Sequence, residues 1–529
     1  MQGKSDKRPK KLAVKPSYIS PNQLTLAGFE TPFEQQLNKD NRWVKMAQAI
    51  PWDKIVPFYD HLFGSSEGRA PISGRVIIGA MIIKHIEGLT DRSTIQHIQE
   101  NMFMQYFLGY SSFTNEAPFS APLFVAIRKR MSLDLTSRIS DAIALHCIRD
   151  QELEEPEEQS VKDNDPPGDG PGSEEQEEEQ VAPVTTGMQT RPVIATAADP
   201  PHKGKLIMDA TVAPQHITFP TDLKLLNAAR RKSEQLIDRL YDPTLHGPVK
   251  PRTYRNIAQK IFLNTAKKKA KSNKEIYKAN GRQLRFLRRN LKHIDTLVAA
   301  YSSFPLKPKE QKYLLVLHTV YEQQEQMHRT HTKSVAHRIV NIHQPHVRPI
   351  VRGKDKAKVE FGSKLQVCIV DGFTFIDRLN WEAFNEGQWL QDSVEQYKRR
   401  FGHYPKEVLA DQIYCNRDNR KWMKEKGIRL MAKPLGRPAA GAVAIHLRPG
   451  ERNPIEGKFG QGKLAYGLDC IKAKLKDTSE SWIACIALVL NLVNMTRIAL
   501  LCLYQYIMNA LQRREKYRNC NPVILINGC

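Results

Sequence analysis

Apolar residues recur at helical spacing through the first 150 positions and at strand spacing after about position 200, with an almost apolar-free stretch between them. In the first region, residues 75–87 (RVIIGAMIIKHIE), 91–101 (DRSTIQHIQEN) and 121–131 (APLFVAIRKRM) predict three helices. Thr90 or Ser93 can cap the second, and the break at 88–90 is short enough for a helix-turn-helix. Pro122 suits the first turn of the third helix, and its IRKRM end would be a basic tip. The pattern fits a DNA-reading domain as well as it fits simple helical packing.

In the second region, residues 204–214 (GKLIMDATVAP) read as a strand running into Asp209, and 216–220 (HITFP) as a short second strand. Residues 223–240 predict a helix, and 359–376 (VEFGSKLQVCIVDGFTFI) predict a hairpin turning at Asp371-Gly372. A helix over 392–401, a strand over 407–410 ending at Asp411, a helix over 417–426 and a strand over 428–431 follow. Between the two strand regions, Leu284, Leu287, Leu291, Ile294 and Val298 repeat at spacings of 3, 4, 3 and 4, an amphipathic seam. The run 482–511 predicts a core helix or an oligomer face. Its most apolar part holds two Asn and stops at Arg497, short of the ~18 residues a spanning helix needs.

Charge sharpens this picture. The 529 residues carry 80 Lys+Arg against 56 Asp+Glu, a net of +24, which points to a nucleic-acid partner. Residues 151–180 hold thirteen acids and one Lys, rich in Pro and Gly, and predict a disordered linker; the rest of the chain carries +36. Such a linker would occupy a basic groove until DNA displaces it. Residues 250–292 hold fifteen Lys/Arg and one acid, so Lys267, Lys268, Lys269, Arg285, Arg288 and Arg289 are candidate DNA contacts. The basic N-terminus lacks the apolar core of a secretory signal, and the eight cysteines show no paired spacing, which suits a reducing compartment. The histidines at 318, 328, 331, 337, 343 and 346 match no zinc-ligand spacing and are expected at the surface or on a DNA backbone.

Two carboxylates, Asp209 and Asp411, close apolar strands, where an acid is seldom placed for stability. Neighbouring carboxylates repel unless a cation separates them, and two acids spanning Mg²⁺ are the basis of two-metal phosphoryl transfer. A third element is Arg452, Glu456 and Lys463, at i, i+4 and i+11, which a helix would bring within about 40° of one another. Glycines 457, 460 and 462 weaken that helix. Glu451 is a rival acid on a different face.

An Asp closing the first strand, an Asp closing a later one and an R-x3-E-x6-K helix resemble the DDE transposases of bacterial insertion sequences, in the branch with a Y-x2-R-x3-E-x6-K signature. The stretches LTDRSTIQHIQENMFMQYFLGY, QPHVRPIVRGKDKAKVEFGSKLQVCIVDG, GHYPKEVLADQIYCNRDNRKWMKEKGIRL and RNPIEGKFGQGKLAYGLDCIKAKL are similar to that family. The signature Tyr would fall at Pro449, leaving its role vacant or taken by a residue such as Tyr466.

The resemblance implies an α/β ribonuclease-H-like catalytic core with an α-helical insertion, preceded by an all-α N-terminal domain. The expected division is a basic flexible tail to residue 40, a helical DNA-binding domain over 41–150 and an acidic linker over 151–198. The core then covers 199–249 and 345–529, around a basic insertion at 250–344. Asp209, Asp411 and Glu456 would hold two Mg²⁺ or Mn²⁺ ions, while Arg452, Lys458 and Lys463 would contact DNA. The implied partners are double-stranded DNA, as terminal inverted repeats and target, and further copies of the chain. No membrane is expected, and the place of work would be the bacterial cytoplasm, on the nucleoid. The implied activity is metal-dependent cleavage and joining of 3′-OH ends to target DNA. The alternatives are an inactive DNA-binding regulator of the same fold and a nuclease without strand transfer.

Overall fold

The computed structural model describes residues 20, 31–63, 72–154, 201–351, 359–433 and 450–519. The first 19 residues, nearly all of the acidic linker and Pro449 lie outside these. The N-terminal unit is all helical: α1 (Pro32–Gln36), α2 (Arg42–Ala49), α3 (Trp52–Asp60), α4 (Gly74–Ile86), α5 (Asp91–Glu100), α6 (Met102–Phe107), α7 (Leu123–Arg130) and α8 (Leu133–Glu154). Thr31 caps α1 through a capping box, and Phe33 and Leu37 bury against Val44. Folded structure therefore begins ahead of the expected boundary at 41. α4, apolar on all sides, is buried almost all round, as a core helix must be. Thr90 caps α5, and Pro122 stands at the N-cap of α7 rather than in its first turn.

The rest of the chain runs β1 (Lys205–Pro214), α9 (Asp222–Leu240), α10 (Pro243–His246), α11 (Arg255–Ala266), α12 (Asn273–Ala299), α13 (Pro308–Thr330), β2 (Arg348–Val351), β3 (Val359–Val370) and β4 (Phe373–Asn380). It continues through α14 (Leu390–Phe401), β5 (Glu407–Leu409), α15 (Arg417–Glu425), β6 (Arg429–Met431), α16 (Asn453–Tyr466) and α17 (Lys476–Asn519). The strands form one mixed sheet in the order β2-β3-β1-β5-β6, with β4 also pairing β3. β1 is antiparallel to β3 and parallel to β5, and β5 is parallel to β6. β3 turns into β4 at Asp371 (φ 48°) and Gly372 (φ 79°), the left-handed pair that a tight hairpin requires.

Two expectations need correction. β1 does not end at Asp209; it continues to Pro214, because its register with β3 runs on to Gly362. Residues 216–220 form no strand: alternation is present, but after an isolated bridge from Gln215 to Ile471, with the His216 N–H donating to Ile471 O at 2.9 Å, no ladder continues and the segment leads instead to α9.

The sheet is covered on both faces. Leu206, Met208, Val408 and Ala410 join one core with α14, α15 and the N-terminal helices. Ile207, Ile369 and Leu409 pack on the other face beneath Ile455 and Phe459 of α16. α17 ties the units together. Its segment Lys476–Ala499 is long and apolar enough to cross a membrane, with a mean hydropathy of 1.7, yet 67% of that window is buried inside the protein. The Asn491 amide, fully buried, donates to Ser140 Oγ (3.0 Å) and Thr374 O (2.8 Å), joining α8 to β4.

The basic insertion makes a separate helical layer. Leu284, Leu287, Leu291 and Ile294 of α12 pack against Leu226, Leu236 and Ile237 of α9 and Leu317 and Val320 of α13. α9, expected within the catalytic core, shares its apolar face with the insertion.

Candidate active site

Parallel pairing places the two aspartates side by side. Ile207 stands opposite Leu409 as the last pair of the β1–β5 ladder, and Asp209 and Asp411 each lie two residues beyond it. Asp209 projects from mid-strand. Asp411 lies just past β5 as the N-cap of a short 3-10 turn, where its side chain accepts the Gln412 N–H at 2.8 Å. One guanidinium lies between them: Arg452 Nη2 is 2.9 Å from Asp209 Oδ2 and its Nη1 3.2 Å from Asp411 Oδ1. Arg452 reaches this place because it is the N-cap of α16, whose next buried residue, Ile455, packs on Ile207 and Leu409.

The electrostatics fit a site that wants positive charge. Burial pushes the Asp209 carboxyl above the usual range, and the charges of Glu386 and Asp411 add to the rise. The Ala210 N–H (2.7 Å) and Arg452 oppose it. The Nε of Arg452 is buried without a hydrogen-bond partner among the described residues, and its outer two nitrogens carry the contact with the acids.

The remaining predicted residues are spread more widely. Glu456 sits exposed on the first turn of α16, and Lys463 lies half-buried two turns further along the same face. The three glycines do not break α16: Ile455 and Phe459 hold it to the sheet, and Gly462 lets Leu468 and Leu490 close on it. Burial, with Arg497 nearby, brings the Lys458 ammonium down to about 8. Among the described residues no three Asp, Glu, His or Cys side chains meet closely enough to hold a metal ion. Glu451 pairs with Lys205 at 3.9 Å. Tyr466 ends α16, about 15 Å of helix from Glu456, and packs under the far part of the sheet.

In the insertion, Lys267 and Lys269 are exposed, Lys268 pairs with Glu275, and Arg285 and Arg288 are exposed on α12. Arg289 faces elsewhere, over the Tyr254 ring at 4.5 Å. In the N-terminal unit the expected basic tip is divided. Lys129 and Arg130 are exposed, but Arg128 is buried and donates to both oxygens of Asp91 at 2.8 Å. Several histidines make specific contacts: His346 is packed on Trp381, and His328 and His331 stack on Tyr277.

Glu386, near enough to raise Asp209, carries no sequence signal. It opens a 3-10 turn between β4 and α14 and pairs with Lys364 at 2.7 Å, a partner 22 residues away that only the sheet brings to it.

With this geometry in place, comparison with known proteins is informative. The family described as "Transposase DDE domain" matches residues 408–493, from β5 into α17, and includes Asp411, Arg452, Glu456 and Lys463. The family described as "Transposase domain (DUF772)" matches residues 31–130, from α1 to α7. Two separate regions of the chain are thus similar to transposase domains, and together they support an insertion-sequence DDE transposase. Among named proteins, the "Uncharacterized protein ORF8 in nfe locus" of Rhizobium meliloti is 29% identical over 106 residues, 20% of this chain. The match spans 49% of that relative's own length. No solved structure matches.

Proposed function

We propose that the chain binds the inverted-repeat ends of a mobile element, cuts DNA there and joins the freed 3′-OH ends to target DNA. The observation that carries the proposal is the convergence of Asp209 and Asp411, from adjacent parallel strands, on one cationic group. The strand order β4-β3-β1-β5-β6, antiparallel then parallel, supports a ribonuclease-H-like core beneath that pair.

The donor set fits hard divalent cations in chemistry and in two of three positions: carboxylate oxygens suit Mg²⁺ or Mn²⁺, and the pair already shares one positive partner. Asp209, Asp411 and Glu456 are the residues that would hold two such ions. Bound there, the ions would stabilise charge on the attacking and departing oxygens of an in-line displacement.

The chain's own groups do the rest. Arg452 neutralises the acid pair at rest and presents a fork that matches two phosphate oxygens. Lys463, on the face of Glu456, adds a second cation along the path of the DNA. Half-buried at mid-strand, Asp209 has its carboxylate held before substrate arrives, so orientation is set by the sheet. Hydrolysis frees a 3′-OH, and that hydroxyl attacks the target phosphodiester directly, with no covalent bond to the protein. The working form is a homo-oligomer on paired ends, in the cytoplasm.

The test is cleavage in vitro of a substrate containing an element end, with Mg²⁺. Asp209→Ala, Asp411→Ala and Glu456→Ala should each lose more than about a hundredfold, since even residues that only orient metal ligands cost 10–100-fold. Wild-type cleavage by all three would sink the proposal. The separation of Glu456 from the acid pair favours a second reading, a DNA-binding regulator of the same fold. End binding without nicking in Mg²⁺ or Mn²⁺ would select it, and nicking without strand-transfer products would select a nuclease.

A further inference from the structure

We infer that the cleft between α12 and α13 is a docking track for the phosphate backbone of duplex DNA, away from the acid pair. The inference rests on the DNA-acting reading above. The cleft has a volume of about 670 Å³. Lys278, Arg282, Arg285 and Arg288 line it from α12 and Arg329 from α13, against one lining acid, Glu325. All five cations are exposed, and among the described residues none forms an ion pair. Glu325 accepts the Tyr321 hydroxyl at 2.5 Å.

The spacing along α12 is 4, 3 and 3 residues, which stacks the four cations into one ridge. Like charges at this spacing each cost a helix about 0.2–0.5 kcal/mol, so the ridge works against α12 on its own. Packing of the Leu284–Ile294 seam on α9 and α13 holds the helix regardless. The ridge is about 15 Å long at 1.5 Å per residue. At ~3.4 Å of axis per phosphate on one strand, that length faces about four phosphates.

The wall of the cleft argues for backbone contact over base reading. Tyr277 stacks with His328 (centroids 3.9 Å apart, planes 9°) and His331 (4.8 Å, 17°). Gly281 makes room for this: a Cβ there would lie 2.8 Å from His328 Nε2. These rings already pack on one another and brace α12 against α13, which leaves the cations as the chemistry the cleft offers. Charge nominates Arg285 and Arg288; the cleft adds Lys278, Arg282 and Arg329, and it excludes Arg289, which lies over Tyr254.

The experiment measures binding of the full-length protein to a labelled duplex of arbitrary sequence, by fluorescence anisotropy over a series of salt concentrations. The triple variant Arg282→Gln, Arg285→Gln, Arg288→Gln should lower the slope of log K against log salt by about 3, at ~0.9 for each phosphate no longer neutralised. The pair Lys278→Gln, Arg329→Gln, drawn from both walls, should lower it by about 2. Unchanged slope and affinity in both variants, with wild-type binding intact, would overturn the track while leaving the cleavage test untouched. A wild-type protein that binds no duplex would overturn both. Tighter binding of single-stranded RNA than of duplex, lost in the same variants, would overturn the choice of partner.

Discussion

Two groups of basic side chains in this molecule have opposite fates. At the junction of the N-terminal helices with the sheet, Arg400 lies 2.7 Å from Asp377 and 3.1 Å from Asp141, joining α14, β4 and α8. Where α4, α5 and α7 meet α17, Lys84 and Arg128 share Asp91 and lie over the Trp482 ring at 4.9 and 5.7 Å. On α12, the cations of the cleft are exposed and form no ion pair among the described residues. Buried cations must be matched, because an uncompensated charge in the interior costs several kcal/mol. Exposed ones need no match and are free to exchange counterions for phosphate. The first group holds units together and the second is available to a ligand.

The sharpest way to break this contrast is to unmatch a buried cation. Asp377, 1% exposed, also accepts the Cys368 thiol, so Asp377→Ala removes the nearer of the two carboxylates that match Arg400 and leaves the thiol without its acceptor. It should cost about 3–5 kcal/mol in denaturant unfolding, the range for one partner removed from a buried pair. A loss under about 1 kcal/mol would show that the junction does not depend on matched charge.

Acid probes the second buried group, around Lys84 and Arg128, more gently. His85 is buried edge-on to Trp482 at 4.9 Å, and among the described residues its Nε2 has no hydrogen-bond partner. Burial, with Lys84 and Arg128 beside it, brings its imidazolium down to about 3. Between about pH 6.5 and 3 the unfolded chain therefore binds a proton that the folded chain refuses, so stability falls as pH falls through that window. The full effect is on the order of a few kcal/mol. His85→Phe keeps an edge-on ring and should flatten this part of the melting temperature against pH; an unchanged acid limb would assign the sensitivity elsewhere.

The smallest effect belongs to the exposed group. Arg285→Gln on α12 should leave unfolding stability within about 0.5 kcal/mol of wild type, as surface substitutions usually do. A larger loss, read from the same denaturant titration, would make Arg285 a structural residue and erase the contrast.

Much of the secondary structure was legible in the residues. The Asp371-Gly372 hairpin, the Thr90 cap and the α12 seam all appear where pattern places them, because turn chemistry, capping and helical periodicity are local. The two transposase families match regions that carry Asp411, Arg452, Glu456 and Lys463 and the N-terminal stretch quoted for the resemblance, while Asp209 lies outside both. Local cues failed where a partner strand or a packing surface decided the outcome. HITFP alternates yet joins no strand ladder, β1 runs past Asp209 along β3, and α16 stays helical through three glycines because the sheet holds it.

The sequence by itself determined the types of charge present, the helical and strand periods, and three acids in an order that resembles a known chemistry. Tertiary structure decided which charges meet. It set Arg452 between Asp209 and Asp411, buried Arg128 on Asp91 while leaving Lys129 exposed, brought Glu386 toward Asp209, and separated Arg288 from Arg289. The reason is one of range. Propensity and periodicity act over a few neighbours, whereas the worth of a charge depends on its burial and on partners that the fold brings from distant positions.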